Sequence, residues 1–427
     1  MPTKIYYNCH AHCFTIDHVP NNFAKKLIWL YFLLPIRWIK KHRFIKWVIK
    51  KLNNKYVLLF LKIFIKNIDK SLDRLLSFIR FFDVAKNQQV MVDLLMGYYP
   101  PHTKLVLLTM DMEYMGAGKP IHNFHKQVEE LAAIKSNPKY SSLIYPFVFA
   151  DPRRTDIFNI ITDAIVQKNF TGIKIYPALG YYPFDKRLKE VYQYALEHDL
   201  PLTTHCISGV VFYRGTKQQA FEGHKHHPIA KKQLLYGKKG IDFTLNFTHP
   251  LNFNCLMDVN ILKQFWGDDA PDFKNLKMCM GHFGGEDEWN KYMTDPWLPE
   301  YNQGIGSLDI DNPWFDEIDS NGKIVKKAYS WFSVVCDLML KFPRMYADVS
   351  YTISDDRTFP LIKLMLTSDS YKEIKDRILF GTDFFVVSKA GAEREMSIKL
   401  REYLGDDLFE IIACINPVKF LRTSSIK

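Results

Sequence analysis

The chain has 427 residues, 47% of them hydrophobic and 24% charged, the mixture of a globular protein with a large core; a disordered, collagen-like or mainly transmembrane chain is excluded. The formal charge of +11 is large enough for a nucleic-acid binder, but it is confined. Residues 21 to 80 hold fifteen Lys and Arg against Asp69 and Asp73, while the rest of the chain is near neutral, so no nucleic-acid partner is expected and one basic segment needs its own explanation.

The N-terminus MPTKIYYNCHAHC lacks the charged and then apolar run of a signal peptide, which predicts a cytoplasmic protein. Seven cysteines, an odd number without a CxxC pair, argue against a disulfide scaffold or a zinc ribbon and fit a reducing compartment. Eight short apolar or β-branched runs then recur along the chain: Lys4 to Cys9, Lys104 to Met110, Leu143 to Ala150, Gly172 to Tyr176, Pro201 to His205, Leu276 to Met280, Met345 to Val349 and Arg377 to Phe380. Amphipathic stretches such as Asp156 to Lys168 and Arg187 to His198 lie between them. Alternating strand and helix signals predict α/β architecture, and eight repeats predict a distorted (β/α)8 TIM barrel occupying residues 1 to 427 as one domain.

Two predicted connections are far longer than ordinary βα loops, and both follow the C-terminal end of a strand. The first makes residues 21 to 100 a basic helical insertion after strand 1. The second, residues 207 to 275, follows strand 5. Within the first, Phe64, Ile65, Ile68, Leu72, Leu75, Leu76 and Ile79 keep helical spacing while Lys62, Lys66, Lys70 and Arg74 form a row on the other side. Leu27 to Ile39 and Phe44 to Ile49 mix aromatic and basic residues, the composition of helices at a membrane interface. The insertion reads either as a cap on the barrel or as a peripheral membrane-contact element over residues 21 to 80.

Chemistry-bearing residues collect at the predicted strand ends. His10 and His12 are two apart on strand 1, so their imidazoles face the same way and can share one ion. Lys174 in TGIKIYP, His205 in LPLTTH, His282 in KMCMGHFGG and Asp383 in ILFGTDFF end strands four, five, six and eight. Five of eight strands thus aim a ligand-type residue at one mouth. Arg153 or Arg154, after strand three, can grip a substrate carboxylate, and His249 in the second insertion is a further candidate to line the pocket. His224, His226 and His227 sit on a predicted loop and are expected to face solvent. Cys9, Cys13 and Cys206 neighbour the proposed ligands but are assigned no catalytic role. There is no Walker A loop, GxGxxG after strand 1 or GxSxG.

The order His-x-His, Lys, His, His, Asp on strands one, four, five, six and eight resembles the amidohydrolase superfamily of metal-dependent TIM barrels, in particular its amidohydrolase-related branch of hydrolases and decarboxylases. GIKIYP, GHFGG and FGTDFF are similar to that branch's turns after strands four, six and eight, and Asn416-Pro417 with Phe420-Leu421 to its terminal helix. The resemblance covers most of residues 1 to 20 and 100 to 427 and leaves the first insertion unmatched. It implies a divalent metal, with Zn²⁺ suited to imidazoles and one carboxylate. One ion is favoured, held by His10, His12, His205 and Asp383, and a second through Lys174 and His282 is the alternative. Asp383 would also act as the base, and His282 as second-metal ligand or oxyanion stabiliser. Lys174 is a carboxylated bridge, a cation for an acidic substrate, or a structural lysine. The expected activity is hydrolysis of an amide, ester or lactone carbonyl in a small molecule. The alternatives are a non-oxidative decarboxylase and an inactive barrel that binds a membrane or a partner. A homo-oligomer is left open.

Overall fold

A computed structural model describes residues 4–23, 86–207, 211–221, 234–236, 240–300, 306, 313–384 and 392–421. Eight strands form one sheet: β1 Tyr7–His12, β2 Lys104–Leu108, β3 Ile144–Phe149, β4 Gly172–Lys174, β5 Leu202–His205, β6 Met278–Gly281, β7 Met345–Asp348 and β8 Ile378–Leu379. Each overlaps one of the eight runs picked out in the sequence. They lie side by side in chain order and pair in parallel. The ring closes where Ala11 bridges Phe384 and where the amides of Cys9 and His12 donate to the carbonyls of Phe380 (2.8 Å) and Phe384 (2.7 Å). The chain is a TIM barrel. Its distortion lies in the short strands, three residues in β4 and two in β8.

The strands read as continuous apolar runs because both of their faces are buried. Tyr7, Cys9, Val106, Leu108, Phe147, Cys279, Tyr346 and Leu379 fill the barrel interior. Leu105, Leu107, Ile173, Leu202 and Met278 pack outward against helix residues such as Leu131, Ile161 and Val191. The interior is stoppered at the strands' N-terminal end by Phe420, whose ring lies 5.0 Å from that of Tyr346. Its short helix, Asn416–Leu421, is tethered by Asn416 Nδ2, which donates to the carbonyls of Lys375 (2.9 Å) and Ile378 (2.8 Å).

The helices between strands include α1 Gln88–Gly97, α2 Phe124–Ser136, α3 Ile157–Val166 and α4 Lys189–Glu197, the last two inside the stretches expected to be helical. Asn87 and Asn123 cap α1 and α2 by accepting the amides of Val90 and Lys126. The connection after β5 is helical as well, with α5 Gly240–Thr248, α6 Leu251–Met257 and α7 Val259–Trp266. A third long connection, from 282 to 344, was not singled out in the sequence. It carries α8 Glu286–Thr294, a hairpin of Glu317–Ile318 with Ile324–Lys326, and α9 Trp331–Lys341. Its apolar residues Trp289, Phe332 and Val335 join the common core, so no separate periodic tract announced it. Helices α10 Phe359–Thr367 and α11 Ala392–Leu404 follow β7 and β8. The basic helix expected over 61 to 79, the aromatic-basic stretches upstream of it and the histidines at 224, 226 and 227 lie outside the described residues. Among the described residues no helix is long and apolar enough to cross a membrane.

Candidate metal centre

The two histidines of β1 reach the barrel mouth through an irregularity. Tyr7 and Cys9 point inward, so strict alternation would turn His10 and His12 toward the helices. A register shift between Asn8 and Ala11 changes the phase, placing Ala11 in the outer layer and both imidazoles at the mouth. Two glycines make room for His10. A Cβ on Gly281 would lie 2.9 Å from His10 Cε1 and 2.3 Å from the Thr204 carbonyl, and one on Gly381 would lie 2.7 Å from His10 Cβ. The glycines of GHFGG and FGTDFF at these positions therefore serve close packing. The adjacent ligand-type residues take the left-handed region, His282 at φ 68° and Asp383 at φ 61°, a strained conformation of the kind that clusters at functional sites.

All six predicted residues meet. His10 Nε2 lies 3.5 Å from Lys174 Nζ and 3.6 Å from Asp383 Oδ1, and His12 Nε2 lies 3.2 Å from the same oxygen. One atom each from His10, His282 and Asp383 falls within a 4.8 Å group. His205 Nδ1 lies 2.9 Å from His282 Nε2, and the His205 ring is stacked on Tyr176 with centroids 4.0 Å apart. His12 Nδ1, His205 Nε2 and Asp383 Oδ1 are buried without a hydrogen-bond partner. Unsatisfied buried polar atoms are costly, and the one on Asp383, grouped with His10 and His282, marks a place for a ligand.

The sequence did not point to the residue that organises this cluster. Asp348, at the end of β7 and fully buried, accepts a hydrogen bond from His10 Nδ1 at Oδ2 (2.9 Å). Its Oδ1 accepts the amides of His282 and Ser350 (both 3.1 Å) and the Ser350 hydroxyl. With its proton on Asp348, Ser350 Oγ accepts from His282 Nδ1 (2.9 Å), as does the Ser350 carbonyl (3.2 Å), which leaves His282 Nε2 to accept from His205 Nδ1. Asp348 thereby sets the His10 tautomer directly and, with the Ser350 carbonyl, supports those of His282 and His205. His10 and His205 each present an Nε2 lone pair, the form in which imidazole binds a metal. The only hint was Asp348 itself at the C-terminal end of the MYADV run, a position the resemblance does not use.

Burial dominates the electrostatics. It holds His10 and His205 well below the usual imidazole range, with Lys174 and neighbouring imidazoles adding to the effect, and pushes His282 down to about 3. These rings are therefore neutral near pH 7. Burial also lowers Lys174 to about 8, opposed by the charges of Asp348 and Asp383. The thiols of Cys9, Cys13 and Cys206 are pushed upward by burial, consistent with inert packing.

Two predicted substrate contacts sit elsewhere. Arg153 is clasped by Asp151 and lines a separate cavity that none of the six residues borders. Arg154 pairs with Asp111 (2.7 Å) and Glu113 (3.1 Å). His249 is buried in an aromatic box: Nε2 meets the Trp314 carbonyl (2.8 Å), Nδ1 accepts the Leu251 amide (3.2 Å), and the ring stacks on Trp314. With both nitrogens used, it stabilises the second insertion rather than offering a substrate contact. Another group, His18, His122 and Glu130, has ligand-type chemistry, but His18 Nδ1 accepts the Thr15 amide (2.9 Å). Its Nε2 must then carry the proton, which suits the Glu130 carboxylate 3.4 Å away better than a cation.

No protein-family model matches this sequence, and no curated protein is significantly similar to it. Among solved structures it is similar to an uncharacterised TIM-barrel protein of Bordetella bronchiseptica, at 12% identity over 80% of this chain and 85% of that one, with TM-score 0.43. It is also similar to 5-carboxyvanillate decarboxylase of Sphingomonas paucimobilis, at 11% identity over 75% and 78%, with TM-score 0.41. A third is an amidohydrolase of Mycobacterium avium subsp. paratuberculosis, at 12% identity over 79% and 75%, with TM-score 0.38. With scores below 0.5, the chemistry of the mouth rests on this chain's own side chains.

Neutral imidazoles with one carboxylate are the residue types that suit a divalent ion. Metal bonds of 2.0 to 2.2 Å in a tetrahedral site put ligand atoms roughly 3.3 Å apart. The two imidazole nitrogens stand 3.2 and 3.6 Å from Asp383 Oδ1.

Proposed function

We propose that this chain is a metal-dependent hydrolase of the amidohydrolase type, acting on an amide, ester or lactone carbonyl of a small molecule. The observation that carries the proposal is the gathering of buried His10, His12, Lys174, His205, His282 and Asp383 at the barrel mouth, with His205 Nε2 and Asp383 Oδ1 left without a hydrogen-bond partner. His10, His12, His205 and Asp383 would hold one divalent ion, zinc being the natural match to their chemistry. Such an ion supplies a Lewis acid and lowers the pKa of water toward neutrality.

The rest is the work of the side chains. Asp383 takes the proton of the attacking water and hands it to the leaving group. His282 has both nitrogens engaged, by His205 and Ser350, so it orients His205 and has no donor left for an oxyanion. That role passes to Lys174, which is cationic below about pH 8 and faces the same space as His10 Nε2. Low-dielectric walls strengthen its effect.

The test is metal analysis joined to a turnover screen on amides, esters and lactones. His12→Ala and His205→Ala should lose both metal and turnover while the circular dichroism spectrum is retained. A fully active double variant, or activity untouched by strong chelation, sinks the proposal. Release of CO₂ from a carboxylic acid without hydrolysis assigns the decarboxylase alternative.

A further inference from the structure

A cavity of about 630 Å³ is walled by residues that follow β2, β3, β4 and β5 and bordered by none of the six ligand-type side chains. Its volume is that of a small-molecule site. Arg153, Lys186 and Arg187 face it, and so do the rings of Tyr181, Tyr213 and Trp266. Each arginine is folded back onto the aspartate two residues earlier. Arg153 donates from Nε (2.8 Å) and Nη2 (2.6 Å) to Asp151, and Arg187 from Nε (2.9 Å) and Nη2 (2.7 Å) to Asp185. Arg153 Nη1 also donates to the Tyr114 carbonyl (2.8 Å), and its guanidinium lies between the Tyr114 and Tyr181 rings, 5.6 and 5.4 Å from their centroids. A guanidinium has five N–H groups, so each retains donors that no described residue takes up. Lys186 spends one donor on the Trp266 carbonyl (2.9 Å). Three cationic groups against two carboxylates leave a net positive charge, on donors already fixed in place before a ligand arrives.

We propose that this cavity binds a planar aromatic carboxylate, with its carboxylate on the remaining Arg153, Arg187 and Lys186 donors and its ring against Tyr213 and Trp266. Guanidinium edges match a planar carboxylate, and flat rings match a flat ligand. The site is distinct from the metal centre and does not depend on the hydrolase reading.

The experiment is calorimetric titration of the purified full chain with naphthalene-2-carboxylate, its carboxamide and the saturated decahydronaphthalene-2-carboxylate. The aromatic acid should bind, and the amide about tenfold more weakly, the effect of losing one charge-assisted hydrogen bond. The saturated acid should lose roughly fivefold for want of ring contacts. Arg187→Gln, at a half-exposed position and with the circular dichroism spectrum as the check on folding, should weaken the acid about tenfold and leave the amide unchanged. Binding should survive both chelation and His205→Ala. Equal affinity for acid and amide, indifference to Arg187→Gln, or loss of binding on chelation would overturn the proposal, and the last would move the ligand to the metal centre.

Discussion

At the scale of single residues, Asp348 carries the largest consequence. It orients His10 directly and His205 through Ser350 and His282, so removing its charge should disturb two imidazoles at once. Asp348→Asn is expected to keep the barrel and weaken metal binding about 10- to 100-fold, the usual cost of losing such a supporting carboxylate. Competition with a chelating dye measures this. Ser350→Ala, which leaves the backbone carbonyl to accept from His282 Nδ1, should cost less, and an Asp348→Asn protein with wild-type affinity would remove the residue from this role. Lys174 makes its own prediction. It lies 3.5 Å from His10 Nε2 and over the Tyr176 ring and forms no ion pair among the described residues, so it is not a lysine paired with a carboxylate. Burial that brings it to about 8 leaves a minor neutral fraction, the form that CO₂ can carboxylate. Metal stoichiometry in wild type and Lys174→Ala, with and without bicarbonate, should show one ion throughout. Two ions falling to one or none in the variant would establish a bridging carbamate instead.

At the scale of elements, the seam between β1 and β8 sets where His10 and Asp383 stand. Asn8 Oδ1 accepts the amides of His10 and Thr382 (both 3.2 Å), and its Nδ2 donates to Thr382 Oγ1 (2.8 Å) and Tyr99 OH (3.0 Å). Those hydroxyls donate in turn to Oε1 of Glu393, on α11, at 2.6 and 2.5 Å. Burial lifts Glu393 to about 7 against the hydroxyls' opposing effect. Between the ordinary glutamate pKa of about 4.5 and about 7, the folded protein holds this proton and the unfolded chain does not. Stability should therefore fall as pH rises through that window, by about 3 kcal/mol in all at 1.4 kcal/mol per pKa unit. Glu393→Gln keeps an acceptor and removes the titration. Urea unfolding at pH 5 and pH 8 should show the variant gaining on wild type at the higher pH, and parallel behaviour would exclude Glu393 as the source.

At the scale of the whole molecule, the basic charge of residues 21 to 80 is set apart from a barrel that is otherwise near neutral. About 1 kcal/mol per basic residue is available at an anionic surface, so lysines that face lipid should give strong, salt-sensitive binding to phosphatidylserine vesicles. Vesicle flotation of the full chain at low and high salt measures this, and deletion of 21 to 80 should abolish it. No binding at low salt would leave the insertion as a cap on the barrel. Binding that survives the deletion would place the lipid contact elsewhere.

Strand and helix alternation, the count of eight and the six ligand-type positions were legible in the sequence because local periodicity and residue chemistry carry them. A β-strand buried on both faces has to be apolar along its whole length, and a residue that ends such a run has to sit at the barrel mouth. What the tertiary structure decided were relations between distant segments. The bulge that turns His10 and His12 inward is a matter of pairing with β2, and the need for Gly281 and Gly381 arises only once His10 lies against them. The role of Asp348 arises only when folding brings it to His10 and Ser350 to His282, some 338 and 68 residues away in the chain. Arg153 and His249 show the converse. Their chemistry suited a metal-site substrate, but Arg153 lines a separate cavity and the Trp314 carbonyl had already engaged His249. Hydrogen-bond partners are chosen by proximity in space, which a linear pattern of residue types does not encode.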